Sequence, residues 1–158
     1  MLSIVVPVRD ESKTIREVFE YFNNNLKNIN YEVLIINDFS SDDTLEKTKD
    51  LIKDYINFKV FNNEKKGLGG AINLGINKAS GKNIAIMMAD QSDDINDLIK
   101  YDHLMRSEDY DAILGSRFTK NSKVNDYPIQ KLILNRIFNF FVSLIFLNKY
   151  NDYTNAFK

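Results

Sequence analysis

Acidic side chains follow short apolar runs at three points of the sequence, and an arginine follows a fourth run. The four segments are residues 7–11, 37–41, 89–94 and 115–118. The third is the richest, because Asp90, Asp93 and Asp94 fall within five residues, together with Gln91. Carboxylate and amide oxygens are the ligands that Mg²⁺ and Mn²⁺ prefer, usually beside phosphate oxygens. The alternative is a helix start, with Ser92 or Asp93 as the N-cap.

Asp38 and Arg117 are further candidates, and each has a plainer alternative. Asp38 directly follows a strand-like run, where an aspartate often only caps the next turn. Arg117 comes after two small residues, a position from which it could reach a phosphate or simply lie on the surface. Their value as binding residues depends on whether the fold brings them to one place.

Composition narrows the chemistry that these residues can perform. The 158 residues include 21 basic and 22 acidic side chains, so no net field attracts nucleic acid. Cysteine is absent and His103 is the only histidine. Disulfides, thiolate zinc sites, cysteine nucleophiles and multi-histidine metal sites are therefore excluded, and a histidine-based triad is disfavoured. Catalysis would have to use carboxylates, hydroxyls, amides, lysine and arginine.

Alternating strand and helix patterns predict how the four segments are positioned. Strands are predicted at residues 4–8, 33–36, 58–61, 84–88 and 112–114. Helices are predicted at residues 14–26, 95–105 and 129–147. Two more helices are predicted, one that begins after a cap at residues 41–43 and runs to about residue 56, and one after the glycine-rich segment that ends near Gly81 as its C′ glycine. Strands joined by helical crossovers predict an α/β fold, a mostly parallel sheet with helices on both faces. Ligands bind such sheets beyond the carboxyl ends of the strands. The post-strand segments should therefore meet at one edge.

The glycine-rich segment after the third predicted strand does not match a cofactor fingerprint. In the stretch that begins at Gly67, the third glycine of G-x-G-x-x-G would fall on Ile72. The segment also follows a polar loop instead of a tight turn after the first strand, and the sequence has no Walker lysine pattern. A flexible loop before a helix is the simpler interpretation, which argues against an NAD enzyme or a P-loop ATPase.

The segment 128–147 contains an apolar helix with one narrow polar seam. Lys131, Asn135, Asn139 and Ser143 are spaced at four-residue steps, and most of the remaining positions are apolar. The helix could belong to a core, be covered by a second subunit, or lie in a membrane interface. No apolar run reaches the roughly 20 residues of a bilayer span, and no secretory signal is recognised, so a cytoplasmic address is expected.

Several short motifs, in order along the chain, are similar to those of one family. Residues 4–11 resemble the motif V-x-P-x-Y-N-E, and residues 37–44 resemble D-D-x-S-x-D-x-T. Residues 63–75 resemble N-x-G-x-G-x-A-x-N-x-G, and residues 79–81 resemble the A-x-G that follows it. Residues 115–118 resemble G-S-R-[YF], and residues 152–158 resemble D-x-T-S-G-F-[RK]. Together they resemble the inverting family 2 glycosyltransferases of GT-A fold, a Rossmann-like nucleotide-diphospho-sugar transferase architecture. The polyprenyl-phosphate branch, which includes dolichyl-phosphate mannose synthase, is the most similar.

The chain also departs from the family pattern. Met88 replaces the first acid of the D-x-D metal motif, Asn37 the first acid of D-D, and Arg9-Asp10 the usual Tyr-Asn. Family members continue beyond the final motif, whereas this sequence stops there. The resemblance therefore implies a single catalytic domain, residues 1–158, that is either truncated at its C-terminus, a fragment, or a minimal domain without the usual extension. Met88 makes dependence on Mg²⁺ or Mn²⁺ an open question.

The resemblance implies a role for each group of matched residues. The nucleotide-sugar donor would contact Pro7, Val8, Glu11, Asp38, Ser40, Gly69, Ala89, Asp90, Arg117 and Arg136. Asp90 would hold the metal, with Gln91, Asp93 or Asp94 compensating for Met88. The implied catalytic residues are Asp90, Arg117, Asp93 and Asp152.

The acceptor decides whether the reaction needs a base. A polyprenyl phosphate is already an anion near neutral pH, so sugar transfer from UDP- or GDP-sugar would proceed by one inverting displacement without a base. A hydroxyl acceptor would need one, with Asp93, Asp94 or Asp152 as candidates. The alternatives are transfer to a soluble saccharide or cell-surface polymer, and a nucleotide-sugar-binding module without catalysis. The expected protein is cytoplasmic or peripheral on the cytoplasmic face of the membrane, with an oligomer possible and no nucleic-acid partner.

Overall fold

Short apolar runs form a parallel sheet in the computed structural model, which describes residues 1–118, 128–147, 150–155 and 157. The strands are β1 (Leu2–Val8), β2 (Tyr31–Asn37), β3 (Phe58–Asn62) and β4 (Asn83–Ile86). Their order is β3-β2-β1-β4 and every pair is parallel, as predicted. Asn37 pairs with both Val8 and Asn62, so the first three strands end at one level.

Helices cover both faces of this sheet because successive side chains of each strand point to opposite sides. The helices are α1 (Ile15–Asn25), α2 (Thr44–Leu51), α3 (Leu68–Lys78) and α4 (Ile95–Ser107). On one face, Val5 and Leu34 pack with Ala71 of α3. On the other face, the ring of Phe19 in α1 stacks on Phe58 of β3, with ring centroids 4.3 Å apart. The α/β prediction is confirmed.

The chain divides into two compact units, Met1–Asp111 and Ala112–Lys158. The whole sheet and helices α1 to α4 belong to the first unit. The second unit contains α5 (Ile129–Phe146), and its described loops are held by hydrogen bonds within the unit. The sequence analysis expected one domain over residues 1–158.

Two predicted elements differ from the structure. Residues 112–114 form no strand; the amide of the following Gly115 donates to the carbonyl of Phe157 at 3.2 Å, a partner that a three-residue apolar run does not reveal. Helix α2 ends at Leu51 and not near residue 56. The amides of Lys53 and Asp54 donate to carbonyls three residues back, which tightens the chain and ends the helix.

The predicted caps of α3 and α4 were also wrong. Helix α3 ends at Lys78, so Gly81 is not its C′ residue. Gly81 instead allows a close approach, because a Cβ there would lie 2.7 Å from the carbonyl oxygen of Met1. The N-cap of α4 is Asp94, not Ser92 or Asp93, and its carboxylate accepts from the amide of Asn96 at 2.8 Å.

A buried carboxylate ties the strands together at the amino edge of the sheet. Glu32 accepts hydrogen bonds from the Ser3 hydroxyl and the Ser80 amide, both at 2.6 Å, and from Lys59 Nζ at 2.7 Å. Ser3 in turn accepts from the amide of Gly81 at 2.8 Å. Burial alone would raise the pKa of Glu32, but the hydrogen bonds from Lys59, Ser3 and Ser80 outweigh it and lower the pKa to about 2.

Helix α5 in the second unit exposes most of its apolar side chains. Leu134, Phe140 and Ile145 are between 65% and 72% exposed. Asn139, on the predicted polar seam, is the buried residue of the helix, and its Oδ1 accepts from the amide of Tyr153 at 2.6 Å. By length and composition alone α5 could cross a bilayer, which the sequence analysis did not expect.

Candidate active site

The carboxyl edge of the sheet carries three residues in the left-handed backbone region. Asp10 follows β1 with φ 57°, Phe39 follows β2 with φ 55°, and Gln91 lies in the loop after β4 with φ 56°. Residues other than glycine rarely adopt this conformation, and it persists only where surrounding contacts enforce it. Three such residues at one edge indicate loops whose shape is fixed against a conformational cost.

Hydrogen bonds between the loops after β1 and β2 enforce two of these conformations. Asp10 Oδ1 accepts from the amide of Ser41 at 2.6 Å and from its hydroxyl at 3.0 Å. Ser40 Oγ accepts from the amide of Asp10 at 3.1 Å, and Asp42 Oδ2 accepts from the amide of Ser12 at 3.1 Å. The bonds from Ser41, led by its amide, hold the pKa of Asp10 below its ordinary value. These hydrogen bonds therefore hold the loop after β1 and the loop after β2 together in a fixed arrangement.

Asp38 connects the end of β2 to the start of α3. The side chain is buried, with 6% of its surface exposed. Its Oδ1 accepts from Asn63 Nδ2 at 2.7 Å and from the amide of Gly67 at 2.8 Å. Gly67 has φ 113°, which favours glycine, and this backbone turns its N–H toward the carboxylate. Both of these bonds use one oxygen, so Oδ2 keeps acceptor capacity toward the adjacent pocket.

A pocket of about 380 Å³ lies at this edge, within the first unit. Its lining residues are Pro7, Val8, Arg9, Glu11, Asp38, Gly67, Leu68, Met88, Ala89 and Asp90. Six of the predicted donor-binding residues are brought together here: Pro7, Val8, Glu11, Asp38, Ala89 and Asp90. The carboxyl ends of β1 and β2 and the loop after β4 thus contribute to one cavity, as expected for ligand sites of parallel sheets.

Two predicted donor-binding residues of the first unit do not line this pocket. Ser40 is held by its bond from Asp10. Gly69 lies in α3 with open space beside it, since a Cβ there would meet no atom within 4 Å. Each therefore needs a different role from direct contact within this cavity.

The four predicted metal ligands are not arranged around one point. Asp94 caps α4, Asp93 Oδ2 accepts from the amide of Met88 at 3.3 Å, and Gln91 turns the loop. Within the described ranges, no group of three or more acidic or histidine side chains could hold a metal ion. Asp90 alone of the four lines the pocket. A single carboxylate fits an ion such as Mg²⁺ that takes most of its other ligands from phosphates and water.

Four lining residues were not predicted from the sequence as binding residues: Arg9, Gly67, Leu68 and Met88. Of these, Arg9 and Met88 stood out only as departures from a family pattern. Gly67 opens the segment rejected as a dinucleotide fingerprint. Its position after two lysines and before a helical pattern was the available signal for a left-handed turn at a helix start.

The partly exposed Arg117 forms an ion pair with the buried Asp152 in the second unit. Arg117 donates from Nε to Asp152 Oδ2 at 2.9 Å and from Nη2 to Asp152 Oδ1 at 2.8 Å, and also to Thr154 Oγ1. Burial alone would raise the pKa of Asp152, but the bonds and charge of Arg117 outweigh it and keep that pKa low. A carboxylate so stabilised as an anion is a weak base.

Arg136 lies in a second pocket of this unit, about 430 Å³ in volume. The other lining residues are Phe118, Asn139, Phe140, Ser143, Tyr150 and Asn151. The guanidinium stands 5.3 Å from the ring centroid of Phe118 and has no carboxylate partner among the described residues. An arginine placed among amide and hydroxyl groups is suited to binding an anion.

A parallel sheet flanked by helices, with a pocket at the carboxyl ends of its strands, is typical of nucleotide-binding domains. The sequence model of glycosyl transferase family 2 matches residues 3–157, and the chain belongs to this family.

Curated relatives support the same assignment. The chain is 28% identical over 135 residues to a dolichol-phosphate mannosyltransferase of Pyrococcus furiosus, covering 85% of this chain and 38% of that protein. It is 28% identical over 144 residues to a dolichyl-phosphate beta-glucosyltransferase of Trichomonas vaginalis, covering 84% and 44%. The chain thus spans less than half the length of these relatives.

Solved structures show the same fold. The crystal structure of S. aureus TarS 1-349 superposes with a TM-score of 0.54 at 22% identity, over 66% of this chain and 32% of that one. The complex of TarS with UDP-GlcNAc gives the same TM-score, 0.54, and the same 22% identity. The predicted GT-A fold is therefore confirmed.

Proposed function

We propose that the chain carries the donor site of an inverting glycosyltransferase that moves a sugar from a UDP- or GDP-sugar to a polyprenyl phosphate. The observation that carries the proposal is the pocket at the carboxyl edge of the sheet, lined by Asp38 and Asp90 from different strand ends. Membership of glycosyl transferase family 2 supports the reaction class. The names of the dolichyl-phosphate relatives support the acceptor class.

The two carboxylates would bind different parts of the donor. Asp38 Oδ2 would accept from a base N–H or a ribose hydroxyl, because an ionised carboxylate is an acceptor only. Asp90 would face the diphosphate. A divalent ion held there would neutralise the charge that develops on the leaving diphosphate. Arg9, which also lines the pocket, adds a positive charge on the opposite loop.

The transfer would be a single displacement. An oxygen of the acceptor phosphate forms a bond to the anomeric carbon while the bond from that carbon to the diphosphate breaks, and the nucleoside diphosphate leaves with the electron pair. Because the attacking oxygen is already ionised, no residue must remove a proton. The ion pair of Asp152 with Arg117 agrees with this, since it makes Asp152 a poor base.

The second unit would supply the acceptor side. Arg136 has the charge for a phosphate, and the exposed apolar side chains of α5 suit a lipid environment. A peripheral position on the cytoplasmic face of a membrane would bring both together with a polyprenyl chain. This part of the proposal is independent of the donor nucleotide.

Calorimetric titration of UDP and GDP, each with and without Mn²⁺, tests the donor site. We expect one nucleotide to bind more tightly, with an increment in affinity from Mn²⁺ that Asp90→Asn removes. Asp109→Asn, an exposed aspartate of the same unit, is the matched control and should keep the increment. Transfer from the matching nucleotide sugar to dolichyl phosphate then tests the acceptor. Binding of neither nucleotide by the wild-type chain would refute the donor site.

A further inference from the structure

Tyr21 on α1 makes two hydrogen bonds to the backbone of the loop that carries Asp90. Its hydroxyl donates to the carbonyl oxygen of Asp93 at 3.1 Å and accepts from the amide of Ile95 at 3.0 Å. Ile95 is the first residue of α4, whose initial amides have no partner within the helix. The phenol therefore fixes the point where the loop ends and the helix begins.

Side chains within the loop make further hydrogen bonds to the loop's own backbone. Asp93 Oδ2 accepts from the amide of Met88 at 3.3 Å, and Asp90 Oδ1 accepts from the amide of Ser92 at 3.0 Å. Between them, Gln91 has φ 56°. A left-handed residue at this point needs external restraint to keep its conformation. The hydroxyl of Tyr21 supplies a restraint of this kind from α1, outside the loop and α4.

We propose that Tyr21 is a positioning residue that holds the Asp90 loop in the shape that binds the donor diphosphate. The inference rests on the proposed function for the binding step, but the restraint on the loop can be measured without any ligand. Tyr21 does not line the pocket, so it acts through the backbone at residues 93–95 and not by touching the donor. Loss of the hydroxyl should leave the loop in place but allow Gln91 to relax and Asp90 to move.

The first test compares Tyr21→Phe with Tyr55→Phe in the full chain. Tyr55 is the matched control because its ring packs on Phe19 and Phe58, while its hydroxyl has no hydrogen bond in the described structure. Hydrogen–deuterium exchange should become faster at residues 88–95 in Tyr21→Phe alone. Thermal unfolding of both variants establishes that they fold. Equal exchange of this segment in the two variants would overturn the inference.

The second test asks whether Tyr21 acts through Asp90. We expect Tyr21→Phe to weaken binding of UDP or GDP, whichever the wild-type chain prefers, by about tenfold. Combined with Asp90→Asn, it should cause no further loss, because the two changes remove the same interaction. Additive losses would indicate a general structural effect and would contradict the inference, as would binding equal to that of Tyr55→Phe.

The two tests also separate failure of this inference from failure of the proposed function. If the wild-type chain binds neither nucleotide, the donor site falls and the binding role of Tyr21 falls with it. Faster exchange at residues 88–95 in Tyr21→Phe would still establish the restraint on the loop. If the wild-type chain binds a nucleotide and Tyr21→Phe changes neither binding nor exchange, only the role of Tyr21 is wrong.

Discussion

At the scale of single residues, the carboxylate of Asp38 holds the backbone in place and, under the proposed function, also binds the donor. One oxygen accepts from Asn63 and from the amide of Gly67, and the residue also lines the pocket. The side chain is buried, so the bonds to Oδ1 compensate much of its desolvation. A residue fixed in this way cannot change its orientation when a ligand arrives, which reduces the entropic cost of binding.

Asp38→Asn should weaken nucleotide binding by about tenfold or more. An amide must present an NH₂ group either to Asn63 and Gly67, which are donors, or to the ligand, where an acceptor is needed. Calorimetry with the preferred nucleotide measures the loss. Asp54→Asn, an exposed change on the same unit, should have no effect. Affinities of the two variants within twofold of each other would argue against a ligand contact at Asp38.

Residue type and position after a strand were sufficient to predict much of the pocket. Asp38, Glu11 and Asp90 could be selected because each follows an apolar run that could only be a strand. Gly67 could not, because its contribution is a backbone N–H whose direction depends on φ. The four predicted metal ligands stay a prediction, but the structure does not gather their side chains into one cluster, for a related reason. Acidic residues adjacent in sequence diverge in space when one of them, here Asp94, caps a helix.

At the scale of elements, α3 lies against β1 because one of its residues has no side chain. A Cβ on Gly75 would lie 2.2 Å from Val5 Cγ1, whereas a Cβ on Gly69 would meet nothing within 4 Å. Val5 is fully buried and cannot move aside freely. The same helix therefore contains glycines required by close approach, Gly75 and also Gly70, where a Cβ would lie 1.9 Å from the carbonyl oxygen of Lys65, and one, Gly69, that is not.

Gly75→Ala should destabilise the protein by about 1–3 kcal/mol, since the added methyl group overpacks the core. Gly69→Ala should be neutral or stabilising, because alanine is favoured over glycine in a helix by up to about 1 kcal/mol. Chemical denaturation of both variants measures the difference. A Gly75→Ala protein as stable as Gly69→Ala would mean that α3 can shift away from the sheet.

The buried carboxylate at the amino edge of the sheet predicts a specific response to acid. The pKa of Glu32 is lowered from 4.5 to about 2 in the folded chain. Its stabilisation should therefore be fully present above about pH 4.5 and disappear as the pH falls toward 2. Glu32→Gln should lower the free energy of unfolding at neutral pH by up to about 3 kcal/mol.

Urea denaturation between about pH 6 and pH 2.5 tests this response. The free energy of unfolding of the wild-type chain should fall more steeply over this range than that of Glu32→Gln. Asp50→Asn is the control for an exposed carboxylate with a lysine partner and should follow the wild-type curve. Parallel curves for wild type and Glu32→Gln would show that Glu32 titrates in the same range in both states.

Elements were predictable where the local pattern alone decides them. The runs at β1 and β2 are rich in Val and Ile, and their prediction needs no distant partner. The strand predicted at residues 112–114 does not form. The backbone next to it, at Gly115, bonds to Phe157, more than forty residues away, and a local apolar pattern does not reveal such a partner. The predicted end of α2 was too late, because after Leu51 the backbone hydrogen bonds span three residues instead of four.

At the scale of the whole molecule, packing of a hydrophobic core does not explain the apolar side chains that α5 exposes. Ile129, Ile145 and Phe146 of α5 are each about 70% exposed, and Leu147, which follows the helix, is 89% exposed. Apolar surface of this extent is typical of an interaction site. The proposed function assigns it to a membrane carrying the acceptor.

The double change Phe141→Glu and Ile145→Glu should release the chain from vesicles. Burying a charged side chain in the acyl region is costly, and both positions are exposed on α5. Sedimentation with liposomes of neutral and anionic lipids measures the bound fraction. Ile56→Glu is the control, since Ile56 is 95% exposed between α2 and β3. Equal binding by the α5 variant and the Ile56 variant would exclude α5 as the membrane contact.

The pocket proposed to bind the donor lies entirely within the first compact unit, and under that proposal identification of the sugar is a separate problem from identification of the acceptor. A ligand that binds only the folded chain increases its free energy of unfolding, by about 2.7 kcal/mol when the ligand is at a hundredfold excess over its dissociation constant, and so raises the unfolding temperature. A panel of nucleotide sugars ranked by thermal shift would therefore name the donor before any lipid, membrane or coupled assay is prepared.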